Sequence, residues 1–377
     1  PQREGLRHEL CQYDGGTVNA SAGLLIAAAA AWTLAALAAI TGRRQAGVFA
    51  SVTFSAAGGG LDLAGGITML VHPSQTAVTF GGNAIVGTFS LRVGPLASVF
   101  IALLGIIGLA IGLYAPRYHT ASAGSAVYLV TYNLALLASL GVLVAGNITT
   151  FLVAWESMAL LSYLLVLRQH LRAGVAAGGF WFLALSEVGF GFIVAAFVIL
   201  ATKTGSLDFG VIEARVSGVP VGCRSTAYVL ALIGFGFKAG IVPFHVWLPE
   251  AHPVAPADGS AFLSGLIVKL GVYGVVLFAF QLLSTGPIWW GVLTMGLGGV
   301  SAVLGILYAL TERDIQRFLA YSTLENVGVI ITAVGAAVIF DAARYPELGA
   351  FLLLAALYHA ASHGVAKALL FLEAGVV

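Results

Sequence analysis

The sequence predicts an all-α, polytopic transmembrane helical bundle. Of its 377 residues, 59% are hydrophobic and only 9% are charged, whereas soluble domains carry about 25% charged residues. The hydrophobic residues fall into segments close to the ~20 residues that an α-helix needs to cross a bilayer. Three of the four lysines lie inside such segments rather than between them.

Eleven hydrophobic segments can be counted along the chain. The second is the least regular, because it contains three consecutive glycines and Asp62, and the seventh is short for a span. The segments run approximately over Ala20–Ile40, Ala46–Val71, Leu96–Tyr114, Ala126–Ala145, Ile148–Leu167, Phe180–Ala201, Ala227–Ile241, Phe262–Leu283, Ile288–Leu310, Ile315–Phe340 and Leu348–Leu372.

Several function classes are disfavoured by composition and by missing motifs. The net charge is +1, so the chain lacks the basic footprint of a nucleic-acid-binding protein. Cys11 and Cys223 are far apart, and no iron–sulfur, haem-attachment, P-loop or dinucleotide-binding motif is present. We therefore expect this chain itself to bind no redox cofactor, nucleotide or metal.

The placement of the basic residues favours a role in proton transfer. Lys238, Lys269 and Lys367 are embedded in hydrophobic segments, whereas Lys203 and all thirteen arginines lie in loops or at segment ends. An ionisable group at the bilayer centre costs roughly 2.5–3.5 kcal/mol on insertion scales. Arginine stays protonated almost anywhere, whereas a buried lysine can release its proton. The sequence thus places only the titratable base inside the membrane.

A broken helix is predicted immediately after Lys238. Residues Gly234–Pro256 contain four of the chain's eleven prolines, and each proline removes a backbone donor and opposes continuous helix. Broken backbone at membrane depth occurs where it is buried in protein or lines a wet cavity, and it marks ion sites in transporters. His245 and His252 lie in this stretch. The alternative is an ordinary loop that leaves the membrane at Pro243.

Three stretches carry a family resemblance. They are FKAGIVPFHVWLPEAHPVAPADGSAFLSGLIVKLGVYG around Lys238 and Lys269, WESMALLSYLLV around Glu156, and LYHAASHGVAKALLFLEAG around Lys367. Together they resemble the antiporter-like proton-translocating subunits. This family includes the large membrane subunits of respiratory NADH dehydrogenase, of multisubunit sodium/proton antiporters, and of hydrogenase-4 and formate hydrogenlyase. AYSTLENVGVI, with its acidic Glu325, is most similar to the hydrogenase-4 and formate hydrogenlyase branch.

The resemblance implies a domain organisation. Residues 1–95 would form N-terminal transmembrane helices and a connecting loop, and residues 96–377 a proton-translocating antiporter-like domain truncated at its C-terminus. The family's next helix carries a terminal Lys or Glu, and the chain stops before reaching it. Inverted repeats are expected, with FLVAWES and FLAYSTL as their faint trace. Gly94 stands where the family usually has an aspartate, so any pairing by that carboxylate is in doubt.

The resemblance also assigns roles to the first embedded residues. It makes Lys238 the partner of Glu156, which would hold Lys238 charged when near and let it release its proton when apart. The alternative is a static buried ion pair, which contributes little net stability. It makes Lys269 the central proton carrier. The alternative, a lysine that snorkels to the interface, is disfavoured because Lys269 lies roughly 10 Å along the helix from Phe262.

A histidine stripe completes the predicted path. His359, His363 and Lys367 follow i, i+4, i+8 spacing and share one helix face, and histidine titrates near neutrality. Their alternatives are a metal site, which lacks a third ligand, and core histidines bonded to carbonyls. Glu325 is a further site candidate. Glu187 either lines the path or counters a lysine, and we interpret Asp62 as peripheral.

We therefore predict a proton-translocating membrane subunit of a respiratory or hydrogenase-type oxidoreductase complex in the cytoplasmic (inner) membrane. Redox chemistry would occur in hydrophilic partner subunits, and other membrane subunits would flank the chain. The alternative is the large subunit of a cation/proton antiporter without a redox partner, which would exchange protons for ions such as sodium. The sequence leaves open the electron donor, the electron acceptor and the stoichiometry.

Overall fold

The computed structural model of the chain describes residues 20–40, 45–73, 77–83, 87–118 and 123–376. Cys11, and with it the start of the predicted N-terminal unit, lies outside these residues. Within them the elements are helices α1 to α14 and strands β1 and β2. In chain order they are α1 (Ala20–Ile40), α2 (Gln45–Val71), β1 (Ala77–Asn83), β2 (Gly87–Arg92), α3 (Pro95–Tyr118), α4 (Ala123–Leu143), α5 (Ile148–Val166), α6 (Val175–Thr204), α7 (Phe209–Arg215), α8 (Val221–Ala239), α9 (Trp247–Ala251), α10 (Ala257–Phe262), α11 (Val268–Val276), α12 (Ile288–Thr311), α13 (Ile315–Ala342) and α14 (Pro346–Ala374).

The predicted helical membrane bundle is confirmed. Among the described residues, eleven helical segments are long and apolar enough to cross a membrane. The seventh, predicted to be short, extends over Val221–Ala251, because helix resumes as α9 after the break. The second, the weakest of the predicted segments, is one continuous helix of 27 residues. Gly58, Gly59, Gly65 and Gly66 are packing positions rather than interruptions.

The helix break after Lys238 is partly buried, with Pro243 and Val246 exposed, and side chains satisfy two of the backbone groups beside it. Gly240 ends α8 in the left-handed region, with φ of 71°, which glycine adopts readily. The Trp247 indole donates to the Phe237 carbonyl at 2.8 Å, and the Val242 N–H donates to Ser301 Oγ at 2.9 Å. Side chains from α9 and α12 thus replace helical partners that the break removes, as buried backbone in a membrane requires.

The eighth span lies at the centre of the bundle. It consists of α10, a π turn over Leu263–Ile267, α11, and a second π turn over Leu277–Leu282. Every residue from 257 to 279 is buried. In the first π turn the Val268 N–H donates to the Leu263 carbonyl, one residue beyond the α-helical partner. Single π turns of this kind occur frequently at functional sites.

The connection before α3, for which the sequence predicts a connecting loop, contains two short strands. Strands β1 and β2 form an antiparallel hairpin. The hairpin is joined to the connection between α4 and α5 by backbone bonds, from the Arg92 N–H to the Val144 carbonyl and from the Gly146 N–H to the Ser90 carbonyl, both 2.7 Å. The threonine, valine and phenylalanine residues of AVTF and GTFSLR favour extended backbone, a signal that the hydropathy reading overlooked.

The N-terminal helices pack through small residues. Helices α1, α2 and α3 pack successively against one another, and α1 also packs against α4. A Cβ on Gly59 of α2 would lie 2.9 Å from the Gly105 carbonyl oxygen of α3, so the two backbones cross where neither residue has a side chain. Close approach at glycine is a common basis of helix association in membranes.

We predict that Gly59→Ala destabilises the protein and that Gly60→Ala does not. A Cβ on Gly59 meets the α3 backbone, whereas a Cβ on Gly60 meets nothing within 4 Å. Overpacking of this kind costs about 1–3 kcal/mol, and both changes gain the same helix propensity, so the pair isolates the steric effect. Thermal unfolding of the protein in detergent provides the measurement. Equal unfolding temperatures for the two variants would contradict the close crossing.

Candidate functional site

Three embedded lysines are enclosed by the bundle rather than exposed to its outer surface. The exposed fractions are 3% for Lys238 of α8, 0% for Lys269 of α11 and 2% for Lys367 of α14. None of the three therefore snorkels towards an interface. An uncompensated charge is costly at this depth, so the groups around each ammonium determine what it can do.

Lys238 contacts a hydroxyl and an aromatic ring, both contributed by α6. Its Nζ donates to Ser186 Oγ at 3.3 Å and lies 4.9 Å from the ring centroid of Phe182. The carboxylates of Glu156 and Glu187 both act on it electrostatically. Glu156 thus neighbours Lys238 as expected, but the direct contacts of the ammonium in this conformation are with the hydroxyl and the ring.

Two acidic side chains share the α5–α6 surface beside Lys238. Glu156 is partly buried, and its Oε2 has no hydrogen-bond partner among the described protein atoms. Glu187 interacts with Glu156 and is exposed on the outer face of α6. The sequence left the role of Glu187 open, and the structure places it in the neighbourhood of Lys238.

Lys269 is held by the first π turn. Its Nζ donates to the Ser264 carbonyl at 2.6 Å, five residues earlier in the chain. Gly271 lies against the backbone of Ala239, so α11 packs directly on the end of α8. Among the described residues no hydrogen bond joins Lys238 to Lys269, and the two are connected by the packing of α11 on α8.

A hydrogen-bonded chain connects Lys269 to Lys367. Ser264 Oγ and Thr323 Oγ1 are 2.8 Å apart, and Thr323 Oγ1 donates to the Leu319 carbonyl at 2.8 Å. The same carbonyl accepts from Lys367 Nζ at 3.0 Å. Because a hydroxyl has one proton to donate and Thr323 commits its own to Leu319, Ser264 is the donor between the two hydroxyls.

Further polar side chains of α13, including Glu325, lie around Lys367. Lys367 Nζ also donates to Ser322 Oγ at 2.9 Å. Asn326 donates through its amide nitrogen to the Glu325 carboxylate and accepts at Oδ1 from His359 Nε2, 3.1 Å away. Glu325 acts electrostatically on both His359 and Lys367. It therefore belongs to the same cluster as the lysine.

The predicted stripe of α14 faces inward. His363 and Lys367 are buried, and His359 is partly buried. The two imidazole rings are nearly parallel, with centroids 6.1 Å apart. Neither ring nitrogen of His363 has a hydrogen-bond partner among the described protein atoms, so this histidine is not held by backbone carbonyls. Within the described ranges no group of three His, Cys, Asp or Glu side chains is arranged to hold a metal ion.

The two histidines of the broken helix have different surroundings. His252 is completely buried, stacks on Phe371 with centroids 4.7 Å apart, and feels the charges of Lys269 and Lys367. His245 is partly exposed and lies near Tyr308. The structure therefore brings His252, and not His245, into the lysine cluster.

Arg92 has a carboxylate partner even though glycine occupies position 94. Its guanidinium donates to both carboxylate oxygens of Glu213, at 3.1–3.2 Å. A cavity of about 60 Å³ lies beside this pair and is lined in part by Gly94 and Tyr273. Glu213 of α7 is thus the carboxylate partner of Arg92.

The family model for the transmembrane region of NADH:quinone oxidoreductase and Mrp antiporters matches residues 145–377. Hydrogenase-4 component B of Escherichia coli K12 is 38% identical over 292 residues, which are 76% of this chain and 43% of that protein. Formate hydrogenlyase subunit 3 of the same organism is 35% identical over 314 residues, which are 83% and 49%. The Mrp complex from Dietzia sp. DQ12-45-1b has a TM-score of 0.78 at 24% identity, covering 93% of this chain and 37% of that chain.

The chain spans less than half of the length of each of these relatives. The similarity to the solved Mrp complex concerns the fold. The family match covers more than half of the chain. It includes Lys238, Lys269 and Lys367, which we call the lysine line, and the nearby carboxylates Glu156, Glu187 and Glu325. The relatives named above confirm the resemblance to the hydrogenase-4 and formate hydrogenlyase branch. The chain belongs to the NADH:quinone oxidoreductase/Mrp antiporter transmembrane family.

Proposed function

We propose that this chain translocates protons as a membrane subunit of an oxidoreductase complex of the hydrogenase or respiratory type. The observation that carries the proposal is the buried chain from Lys269 through Ser264 and Thr323 to the Leu319 carbonyl and Lys367. Such a chain places two titratable bases and two hydroxyls in one polar line inside an apolar bundle. Buried polar networks at membrane depth typically mark ion pathways.

The charges along the line support stepwise transfer. Carboxylates act on Lys238 at one end and on Lys367 at the other, and an opposite charge favours the protonated amine. Lys269 lies between them with a carbonyl as its hydrogen-bond partner and Lys367 as its charged neighbour. Like charges disfavour each other. Loading one of these two lysines therefore promotes proton release from the other.

The two hydroxyls of this hydrogen-bonded chain can transfer a proton, whereas its backbone carbonyls cannot. A backbone carbonyl holds an ammonium but has no proton to pass on, whereas Ser264 and Thr323 each both accept and donate. The ring nitrogens of His252 and His363, beside the lysines, have no hydrogen-bond partner within the part of the chain that the structure describes, and imidazole exchanges protons near neutral pH. Water would fill the remaining gaps, including that between Lys238 and Lys269.

We place this subunit in the cytoplasmic membrane, beside other membrane subunits and hydrophilic redox subunits. The names of its relatives, a hydrogenase component and a formate hydrogenlyase subunit, support the redox partners. Glu187 supports a membrane neighbour, because an exposed acid in the middle of α6 is unfavourable against lipid. We propose that a partner subunit covers this face of α6.

The second candidate is the large subunit of a cation/proton antiporter. The family to which the chain belongs includes Mrp antiporters, which supports this candidate. The same lysine line would serve either function. Proton movement in vesicles that follows addition of a reductant supports the oxidoreductase complex, whereas movement that follows a sodium or potassium gradient without reductant supports the antiporter.

We predict that Lys238→Ala and Lys238→Arg both abolish proton translocation in the assembled complex. Alanine removes the base, and the guanidinium of arginine keeps its proton. A pH-sensitive dye in inverted vesicles measures translocation, with complex assembly checked by native electrophoresis. Lys203→Ala is the control, because Lys203 is exposed near the end of α6. Full translocation by the Lys238→Arg variant would contradict a releasing lysine.

We predict that Thr323→Val slows translocation and that Thr323→Ser does not. Valine keeps the shape but removes the hydroxyl between Ser264 and the Leu319 carbonyl. Loss of one hydrogen bond, about 1 kcal/mol, corresponds to a roughly fivefold slower rate. Thr332→Val is the matched control, since its hydroxyl donates to Gly328 within the same helix. The hydroxyl relay is wrong if both valine variants slow the rate equally.

We predict that Glu156 and Lys238 act as one unit. Glu156→Gln removes the charge and keeps the shape, so it should abolish translocation as Lys238→Ala does. Translocation rates of the two variants in inverted vesicles provide the measurement. Glu213→Gln serves as a control acid, because it pairs with Arg92 away from this site. Translocation retained by Glu156→Gln would assign the two residues independent roles.

A further inference from the structure

An acidic side chain is buried in the N-terminal helices, outside the lysine line. Asp62 of α2 has 0% exposure, and neither of its carboxylate oxygens has a hydrogen-bond partner among the described protein atoms. It lies 17 residues after Gln45 and 9 before Val71, which is about 26 Å and about 14 Å along the helix axis. Asp62 is therefore at membrane depth, and the sequence reading of it as peripheral did not anticipate this burial.

The helices around Asp62 supply no counter-charge. Helices α1, α3 and α4 pack against α2. Helices α1 and α4 contain no Asp, Glu, Lys, Arg or His, and Arg117 is the single such residue of α3. Arg117 lies 12 residues beyond Gly105, where α3 crosses α2, or about 18 Å along the axis. The remaining titratable groups are the tyrosines Tyr114, Tyr118, Tyr128 and Tyr132.

Two buried hydroxyls share the helix face of Asp62. Ser51, Ser55 and Asp62 follow i, i+4, i+11 spacing, which places them within about 40° of one another around α2. Ser51 Oγ and Ser55 Oγ are buried and have no hydrogen-bond partner among the described protein atoms. The face therefore carries a row of polar atoms with free hydrogen-bonding capacity, which buried side chains rarely leave unused.

Asn133 of α4 joins this row at the level of Ser55. Trp32 donates to the Ser55 carbonyl at 3.2 Å, and both Trp32 and Leu136 lie 3.6 Å from the position of a Cβ on Gly108. Asn133 lies between Leu129 and Leu136 in α4, and Leu129 packs in one cluster with Val48 and Val52 of α2. The amide nitrogen of Asn133 donates to Leu129, and its Oδ1 is buried without a hydrogen-bond partner among the described protein atoms.

Polar side chains continue along this face of α2 from Asp62 in one direction only. Between Asp62 and Gln45 the face carries Ser55 and Ser51, whereas beyond Asp62 it continues with Gly65, Gly66 and Met69. Polar atoms thus extend from Asp62 towards the end of the bundle where α1 connects to α2. In the opposite direction the same face offers no side chain that could carry a proton.

We propose that Asp62 is a proton-binding site that exchanges with water at the α1–α2 end of the bundle through Ser55, Asn133 and Ser51. An unpaired carboxylate at this depth is unfavourable, so the carboxyl binds a proton. Along the helix axis Ser51 lies about 6 Å from Ser55, and Ser55 about 10 Å from Asp62. Water molecules therefore complete the route. The site is independent of the function proposed for the lysine line.

Infrared difference spectroscopy of the full-length protein in membranes tests the site directly. The spectrum of wild type minus Asp62→Asn isolates the carbonyl stretch of a protonated Asp62 near neutral pH, and transfer to D₂O should shift this band. Asparagine keeps the shape and neutrality of the acid, so folding is preserved. Asp62→Glu should restore an exchanging band at altered frequency.

Further variants test the proposed route between Asp62 and water. Ser51→Val with Asn133→Leu should slow the deuterium shift of the Asp62 band at least tenfold, while Thr68→Val should leave it unchanged. Thr68 is exposed on α2 and donates to Ala64, away from the row. A carboxylate band in place of the acid band, or an acid band that never shifts in D₂O, overturns the proposal. Replacement of the acid band by a carboxylate band on addition of sodium at constant pH would make Asp62 a cation site, and would also overturn it.

Discussion

The architecture depends on one constraint: a polar group at membrane depth must find its partner inside the protein. The break after Lys238 meets it with two side-chain contacts. The Trp247 indole donates a hydrogen bond to the Phe237 carbonyl, and the Ser301 hydroxyl accepts one from the Val242 N–H. Because α9 and α12 supply these contacts, the end of α8 is fixed in position. Lys238 is consequently presented to α6 at a defined depth.

The same constraint accounts for the first π turn of the central span. A π turn shifts the hydrogen-bond ladder by one residue, and in the first turn the Ser264 carbonyl accepts from the side chain of Lys269. A charged side chain thereby obtains a partner without any polar group from another helix. The turn also brings Ser264 Oγ against Thr323 of α13. One local irregularity therefore both holds the central lysine and connects it to the next helix.

The sequence was sufficient for the spans, the break and the embedded lysines, since each depends on hydropathy, proline content or a titratable residue in an apolar run. It was not sufficient for the contacts between helices. Ser264 and Thr323 are ordinary small polar residues of membrane helices, and their pairing across 59 positions depends on the packing of the central span. Glu187 remained undecided for the same reason, because its proximity to Glu156 follows from how α5 and α6 pack. The hairpin was missed because hydropathy does not register short strands.

The direction of the hydroxyl pair is tied to the charge of Lys367. Thr323 donates to the Leu319 carbonyl, which also accepts from Lys367, so Ser264 must donate to Thr323 while this arrangement lasts. Reversal requires Thr323 to release the carbonyl and point its proton towards Ser264. The carbonyl then depends on Lys367 as its side-chain donor, a role that a charged ammonium fills more strongly than a neutral amine. A protonated Lys367 therefore favours the reversed orientation, in which Thr323 donates to Ser264. A neutral Lys367 favours the observed orientation, in which Ser264 donates to Thr323 and Thr323 donates to the Leu319 carbonyl.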